Sequence, residues 1–360
     1  MLRTEEWVGL TNDRLDAFLQ QRLPHLTALS EDLAPVASYA QQLLTGGKRF
    51  RAQFALLGAN VVADEDIPPA MFDIAAGLEI FHAAALVHDD IMDKSDTRRG
   101  ILAAHRQLEK HHEDSHWLGN AADFGTASAL LLGDLLLAFS DELVSQGLSG
   151  NVTTSAGRAA RAEFDRMRLD VTAGQYLDIV EEHAWPIVAA EDALPRAKKV
   201  VVYKSAKYSI EAPLVIGASF AGASTAQISS LRAAGIPMGV AFQLRDDLLG
   251  VFGDPEATGK PAGDDLREGK RTVLIALAQE NLGASTIRLM NEMLGDPDLS
   301  DNQIETLRQT LLDSGAVDRV EEMVSEQSAL AHRAIDELET HEDARLALHQ
   351  LADKVSQRTT

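Results

Sequence analysis

Apolar residues recur along this chain at helical spacing, and almost nowhere in the strict alternation of a half-buried strand. Ala70 to Met92 carries Phe72, Ala75, Ala76, Leu78, Ile80 and Phe81. Ala129 to Leu143 carries Leu130, Leu131, Leu132, Leu135, Leu136 and Leu137, and Ala223 to Val251 reads as a third long helix. These stretches are apolar nearly all round, which marks helices in the middle of a bundle. Turn residues separate them at Asp64 to Pro69 and at Gly147 to Asn151. Gly253 to Gly269, with glycines at 253, 259, 263 and 269 and prolines at 255 and 261, is the longest irregular stretch. The pattern predicts an all-α fold, a single large helical bundle of roughly ten or more helices. With no linker or low-complexity tract in sight, one domain is expected over residues 1–360.

Composition narrows the chemistry. The 360 residues include no cysteine, which excludes disulfide frameworks, thiolate metal sites and thiol nucleophiles. The net charge of −22 argues against nucleic acid as a partner and against docking on an anionic membrane. Met1 to Leu10 has no signal-type apolar run, and no window holds about 18 consecutive apolar residues, so no transmembrane segment and a cytoplasmic location are expected.

Two acidic motifs stand at the ends of long apolar helices. The first is His88-Asp89-Asp90-Ile91-Met92-Asp93, followed by Arg98 and Arg99. Asp89 and Asp93 lie four residues apart and share a helix face. Such a pair of hard oxygen donors suits Mg²⁺, which keeps waters and bridges carboxylates to phosphates. The arginines offer forked hydrogen bonds to the same phosphates. The second motif is Gln243-Leu244-Arg245-Asp246-Asp247-Leu248-Leu249-Gly250. The loop beyond it brings Lys260, Asp264, Asp265 and Lys270, and its glycine and lysine spacing is not that of a Walker loop. A third basic site, Gly46-Gly47-Lys48-Arg49-Phe50-Arg51, opens a predicted helix, where backbone amides and cations together attract anions. Two carboxylate pairs and three basic sites on an apolar helical scaffold point to two diphosphates beside a greasy cavity. The fitting chemistry is ionisation of a carbon–oxygen bond to diphosphate, with the carbocation sheltered from water.

In these motifs and their order, from about Gly46 to Thr272, the chain resembles the trans-type isoprenyl diphosphate synthases, the polyprenyl synthetase family. The resemblance implies an isoprenoid-synthase bundle that joins isopentenyl diphosphate head-to-tail to an allylic diphosphate (dimethylallyl, geranyl or farnesyl), with up to three Mg²⁺ in each active site of a homodimer. It assigns Lys48, Arg51, His82 and Arg99 to isopentenyl diphosphate. Arg98, Lys260 and Lys270 go to the allylic diphosphate, and Asp89, Asp93 and Asp246 to metal. Lys204 and Ser205 fill the family's Lys-Thr position, and Lys204 with Gln243 faces the developing cation. Gly174 to Asp178 resembles a family helix near the reaction centre. One departure is Gly250, where the second motif should end in aspartate; Asp247 or Asp254 is expected to take its place. Released diphosphate is the expected proton acceptor, so no protein nucleophile is required.

Product length has one physical handle. The growing tail is expected to run back along the helix from Asp89. Ala85 and Ala84 lie about 6–7.5 Å up that helix and are small, whereas Phe81, at about 12 Å, is the expected floor. This favours a twenty-carbon product, geranylgeranyl diphosphate, with farnesyl or longer products, or a subunit of a heteromeric synthase, as the alternatives. An HD-type phosphohydrolase leaves the arginine-followed motifs without a role. A terpene cyclase or a head-to-head coupling enzyme leaves the Lys48–Arg51 site without one. His105, His111, His112 and His116 are expected in a solvated segment rather than a metal site. Glu163, Asp165 and Asp170 are expected on a solvated face, and Asp134 is expected to be buried and satisfied.

Overall fold

The computed structural model describes residues 2–63, 66–98, 100–151, 153–253 and 263–357. Among them are helices α1 (Leu2–Leu29), α2 (Ala34–Leu44), α3 (Phe50–Val62), α4 (Pro69–Met92), α5 (Ala104–Asp114), α6 (Ala121–Leu148), α7 (Ser155–Ala184) and α8 (Ala190–Val200). A π-helical segment, Val201–Glu211, leads into α9 (Ala212–Phe220). Then follow α10 (Thr225–Phe252), α11 (Asp264–Glu268), α12 (Val273–Asn281), α13 (Ala284–Met293), α14 (Asp301–Asp313), α15 (Ala316–Asp336) and α16 (Glu342–Ser356). The described strands are the two residues of Thr97–Arg98 paired with Ile101–Leu102. The all-α reading holds.

Local chemistry starts these helices where it should. Asn120 accepts from the backbone amides of Ala122 and Asp123 to begin α6, and Ser224 with Gln227 forms a capping box for α10. Helix α4 passes the length and apolarity test of a membrane span, but 72% of that window is buried inside the protein. It is the core helix, running antiparallel to α6 with Gly147 against Ala70, Gly77 against Val144 and Gly133 against His88. Its other face looks onto α3, α7 and the π segment.

The π segment is held by close backbone approach. A Cβ on Gly174 of α7 would come within 2.4 Å of the Lys204 backbone nitrogen, and one on Gly239 of α10 within 2.5 Å of the Ala206 Cα. Larger residues at either place would push this stretch, with Lys204 and Ser205, out of position.

Three expectations need correcting. Of the histidines expected to be solvated, His116 beyond α5 is exposed, whereas His105 and His111 on α5 are half-buried and His112 is buried, with the rings of Trp117 and Phe124 packing on it at centroid distances of 5.9 and 5.2 Å. Asp134 is exposed rather than buried, 3.7 Å from His88. Glu163 and Asp170 are half-buried and tied to Arg232 and Lys207, which α10 and the π segment bring to that face of α7, while Asp165 stays exposed and pairs with Arg168 three residues on along α7.

Candidate active site

Helix α4 ends at its acidic motif. The Asp93 amide donates to the Asp89 carbonyl at 2.8 Å, and Lys94 turns left-handed at φ +56°, so the chain leaves the helix there. His82, Ala85, Leu86, Asp89 and Asp93 consequently share the face of α4 that lines a cavity of about 630 Å³. The π segment contributes Lys204, Ser205 and Tyr208 to its wall, and α10 contributes Gln243, Asp246, Asp247 and Gly250. The loop and helix at 47–51 add Lys48 and Arg51, and Arg98 and Lys270 complete the polar end. The sequence motifs, about 220 residues apart at the extremes, therefore meet in one place.

The first motif is answered by cations. Asp89 accepts from the Gln175 amide at 3.0 Å and pairs with Lys204 at 3.3 Å and Arg98 at 3.4 Å. Asp90 receives the Arg98 guanidinium, its Nε at 2.8 Å. Lys270 donates to Asp93 at 2.6 Å, to Glu182 at 2.9 Å and to Asp178 at 3.3 Å, while Lys204 also bonds Asp178. Burial alone would raise the Asp89 carboxyl, but Lys204, Arg98 and Lys270 outweigh it and hold the group below the usual carboxylate range. Asp93 is pushed up instead, by burial and by the charge of Asp89. Burial disfavours the ammonium forms of Lys204 and Lys270, yet the ring of carboxylates holds both above the ordinary lysine value.

The second motif is balanced differently. Gln243 donates to Asp247 Oδ1 at 2.7 Å, and Asp247 Oδ2 is buried without a partner. Burial, with the charges of Asp265, Asp246 and Asp178, pushes this carboxyl well above the usual range, against the single bond from Gln243.

The basic triplet divides by role. Arg49, left-handed at φ +51°, turns inward to Asn12 at 2.9 Å, the Leu44 carbonyl and Glu79, and so locks the start of α3. Lys48 remains exposed at the cavity edge. Arg51 donates to Ser209 at 2.7 Å and stacks over the Tyr208 ring at 4.3 Å. The Tyr208 hydroxyl, kept protonated by burial with its pKa raised to about 12, is 3.1 Å from His82 Nδ1.

Of the length-determining candidates, Ala85 lines the cavity. Ala84 does not: it is fully buried among the residues packed toward α6. Phe81 stands behind the wall, edge-on to Phe164 and Tyr208 at 6.3 and 5.8 Å. Arg99, Asp254 and Lys260 lie outside the described residues. Sequence reasoning passed over Glu182 and Tyr208, which carry no motif signal; only their convergence in space marks them.

The donor set fits magnesium. It consists of carboxylate oxygens in pairs, and one of those oxygens, on Asp247, is buried and orphaned. Among the described residues no three acidic or histidine side chains converge tightly enough to hold an ion alone. Phosphate and water oxygens would complete the shells, as Mg²⁺ prefers. Asp89, Asp93 and Asp246 all line the cavity.

Comparison with known proteins agrees with this geometry. The polyprenyl synthetase family model matches residues 34–311. The geranylfarnesyl diphosphate synthase of Aeropyrum pernix is 31% identical over 276 residues, 77% of this chain and 79% of that one. The geranylgeranyl pyrophosphate synthase of Geoglobus acetivorans is 30% identical over 349 residues, 97% of this chain and 96% of that one. A crystal structure of geranylgeranyl pyrophosphate synthase from Corynebacterium glutamicum, complexed with isoprenyl diphosphate and magnesium, superposes with a TM-score of 0.91 at 34% identity, covering 98% of this chain and 99% of the other.

Proposed function

We infer the activity from membership: this chain belongs to the polyprenyl synthetase family. It is a trans-prenyltransferase that condenses isopentenyl diphosphate with allylic diphosphates, and geranylgeranyl diphosphate is the product we propose. The observation that carries this reading is the opening of both acidic motifs, the Lys48–Arg51 site and an apolar wall onto one cavity.

Up to three Mg²⁺ per site are proposed, which Asp89, Asp93 and Asp246 would hold and which would supply Lewis-acid stabilisation of the departing diphosphate. Arg98 and Lys270, at the same end of the cavity, grip that diphosphate, and Lys260 is assigned the same role by its motif. Lys48, Arg51 and His82, with Arg99, orient isopentenyl diphosphate so that its double bond faces the allylic carbon. The Ser205 hydroxyl oxygen and the Gln243 amide oxygen face the developing cation beside Lys204, whose own charge is drawn off toward Asp89 and Asp178. Ala85, Leu86 and Val171 exclude water from the tail. Released diphosphate takes the proton lost from the new chain.

The whole chain is proposed to act as one catalytic domain in the cytoplasm. It pairs with a second copy through the face of α6 and α7, where Leu130, Leu131, Leu169 and Tyr176 are exposed.

The purified protein with Mg²⁺, isopentenyl diphosphate and farnesyl diphosphate should release a twenty-carbon diphosphate. A cyclic hydrocarbon, or no turnover until another chain is added, would refute the reading. Phe81→Ala should lengthen the product; an unchanged length removes Phe81 as the floor.

A further inference from the structure

The second motif lacks its final aspartate, and the structure shows what stands in that space. Gly250 is one turn beyond Asp246 on α10, on the same face. A Cβ built on Gly250 would lie 2.0 Å from Asp265 Oδ2, 2.4 Å from its Cγ and 2.8 Å from its Oδ1. The Asp265 carboxylate thus fills the volume where a side chain at 250 would begin. Both residues line the cavity beside Asp246 and Asp247. A second observation marks the spot as a ligand position. Asp247, only 5% exposed and lining the same cavity, has an oxygen with no protein partner that a cation or its water would satisfy.

The placement of Asp265 is anchored from the opposite motif. Its carbonyl accepts the Lys270 amide at 3.0 Å, and the Lys270 ammonium binds Asp93 at 2.6 Å. Glu268, three residues on, accepts from the Ser95 hydroxyl at 2.5 Å, just past the first motif. Helix α11 is therefore fixed to the end of α4 while its first turn reaches α10. Neither Asp247 nor Asp254 has to take the missing role.

We propose that Asp265 supplies, from the following segment, the carboxylate that the second motif lacks at Gly250, so that Asp246 and Asp265 together hold a divalent cation and its waters on that side of the cavity. The assignment rests on the prenyltransferase reading above. It makes glycine at 250 a requirement of this arrangement, because any larger residue would displace the Asp265 carboxylate. It also predicts that the two positions can exchange roles.

The test uses the full chain with Mn²⁺ and inorganic pyrophosphate, bound ions being counted by electron paramagnetic resonance. The unaltered protein binds Mn²⁺ more tightly when pyrophosphate is present. Asp265→Asn, which keeps the shape, and Asp265→Gly each weaken that binding about ten-fold or more. The exchange Gly250→Asp with Asp265→Gly recovers most of the loss. Circular dichroism confirms that each variant is folded. Unchanged binding in Asp265→Asn, or an exchange variant no better than Asp265→Gly, overturns the proposal. Failure of the unaltered protein to bind Mn²⁺ with pyrophosphate overturns the prenyltransferase reading itself, which separates the two.

Discussion

The acidic motifs at the ends of α4 and α10 face the same cavity, but the carboxylates they present sit in different surroundings. At the end of α4, Asp89, Asp90 and Asp93 are met by Lys204, Arg98 and Lys270, with Gln175 filling in. At the end of α10, Asp247 has an amide on one oxygen and nothing on the other, and Gly250 gives its space to Asp265. The difference separates two ways of making a metal-binding surface. Asp89 is kept charged and in place by Lys204, Arg98 and Lys270, so this ligand is organised before a cation arrives, even though burial and the Asp89 charge push Asp93 up. Burial and like charges push the Asp247 carboxyl upward, so a cation entering there would favour its ionised form as well as give its free oxygen a partner.

The largest consequence is catalytic. Asp89→Asn removes a charge around which three cations are arranged and should lower kcat/KM on the order of 10³-fold, the several kcal/mol that a metal contributes at the leaving group. Asp247→Asn should cost only about ten-fold, because its contribution passes through water or a neighbour. Steady-state rates with Mg²⁺ and both diphosphates measure this. Equal losses would erase the distinction.

How much of this contrast was legible in the chain follows from range. Spacing alone put Asp89 and Asp93 on one face and read the bundle, because helical period is a local property. The Lys48–Arg51 site was legible as basic, but that Arg49 turns inward depends on a left-handed residue and on Asn12 and Glu79 from elsewhere. The π winding of Val201–Glu211 has no apolar signature, and its close packing on α7 and α10 depends on the glycines at 174 and 239. The replacement for the missing aspartate was sought at Asp247 or Asp254, within the motif's own neighbourhood. It stands fifteen residues beyond Gly250, placed there by contacts with the first motif. The histidine-rich stretch misled in the other direction, since a polar run became a helix closed by Trp117 and Phe124.

Next in size is the lock on the first motif. Lys204 bonds Asp178 and Asp89, and Lys204→Met leaves Asp178 with only Lys270 and Asp89 with only Arg98 as paired cations. Breaking a buried pair from one side costs about 3–5 kcal/mol. Urea unfolding in EDTA should show a loss of that order, and Mg²⁺ with pyrophosphate should shrink it by restoring positive charge near Asp89. A loss that metal leaves untouched would mean that Lys204 serves packing rather than charge.

The smallest effect tests the other half. In the folded, metal-free protein the Asp247 carboxyl titrates above its unfolded value of about 3.9. Between those two values the folded state keeps a proton that the unfolded state has lost, so stability falls as pH rises through this window and levels off above it. Asparagine cannot titrate. Asp247→Asn should therefore remove that part of the decline, and in EDTA it should be more stable than the unaltered protein by about 1 kcal/mol at the upper end of the window, from the cost of a poorly satisfied buried group. Urea midpoints from pH 5 to 8 measure it. Because Asp89 is held low rather than high, Asp89→Asn should show no such gain over the same range; a matching gain would place both carboxylates in one class and break the comparison at its root.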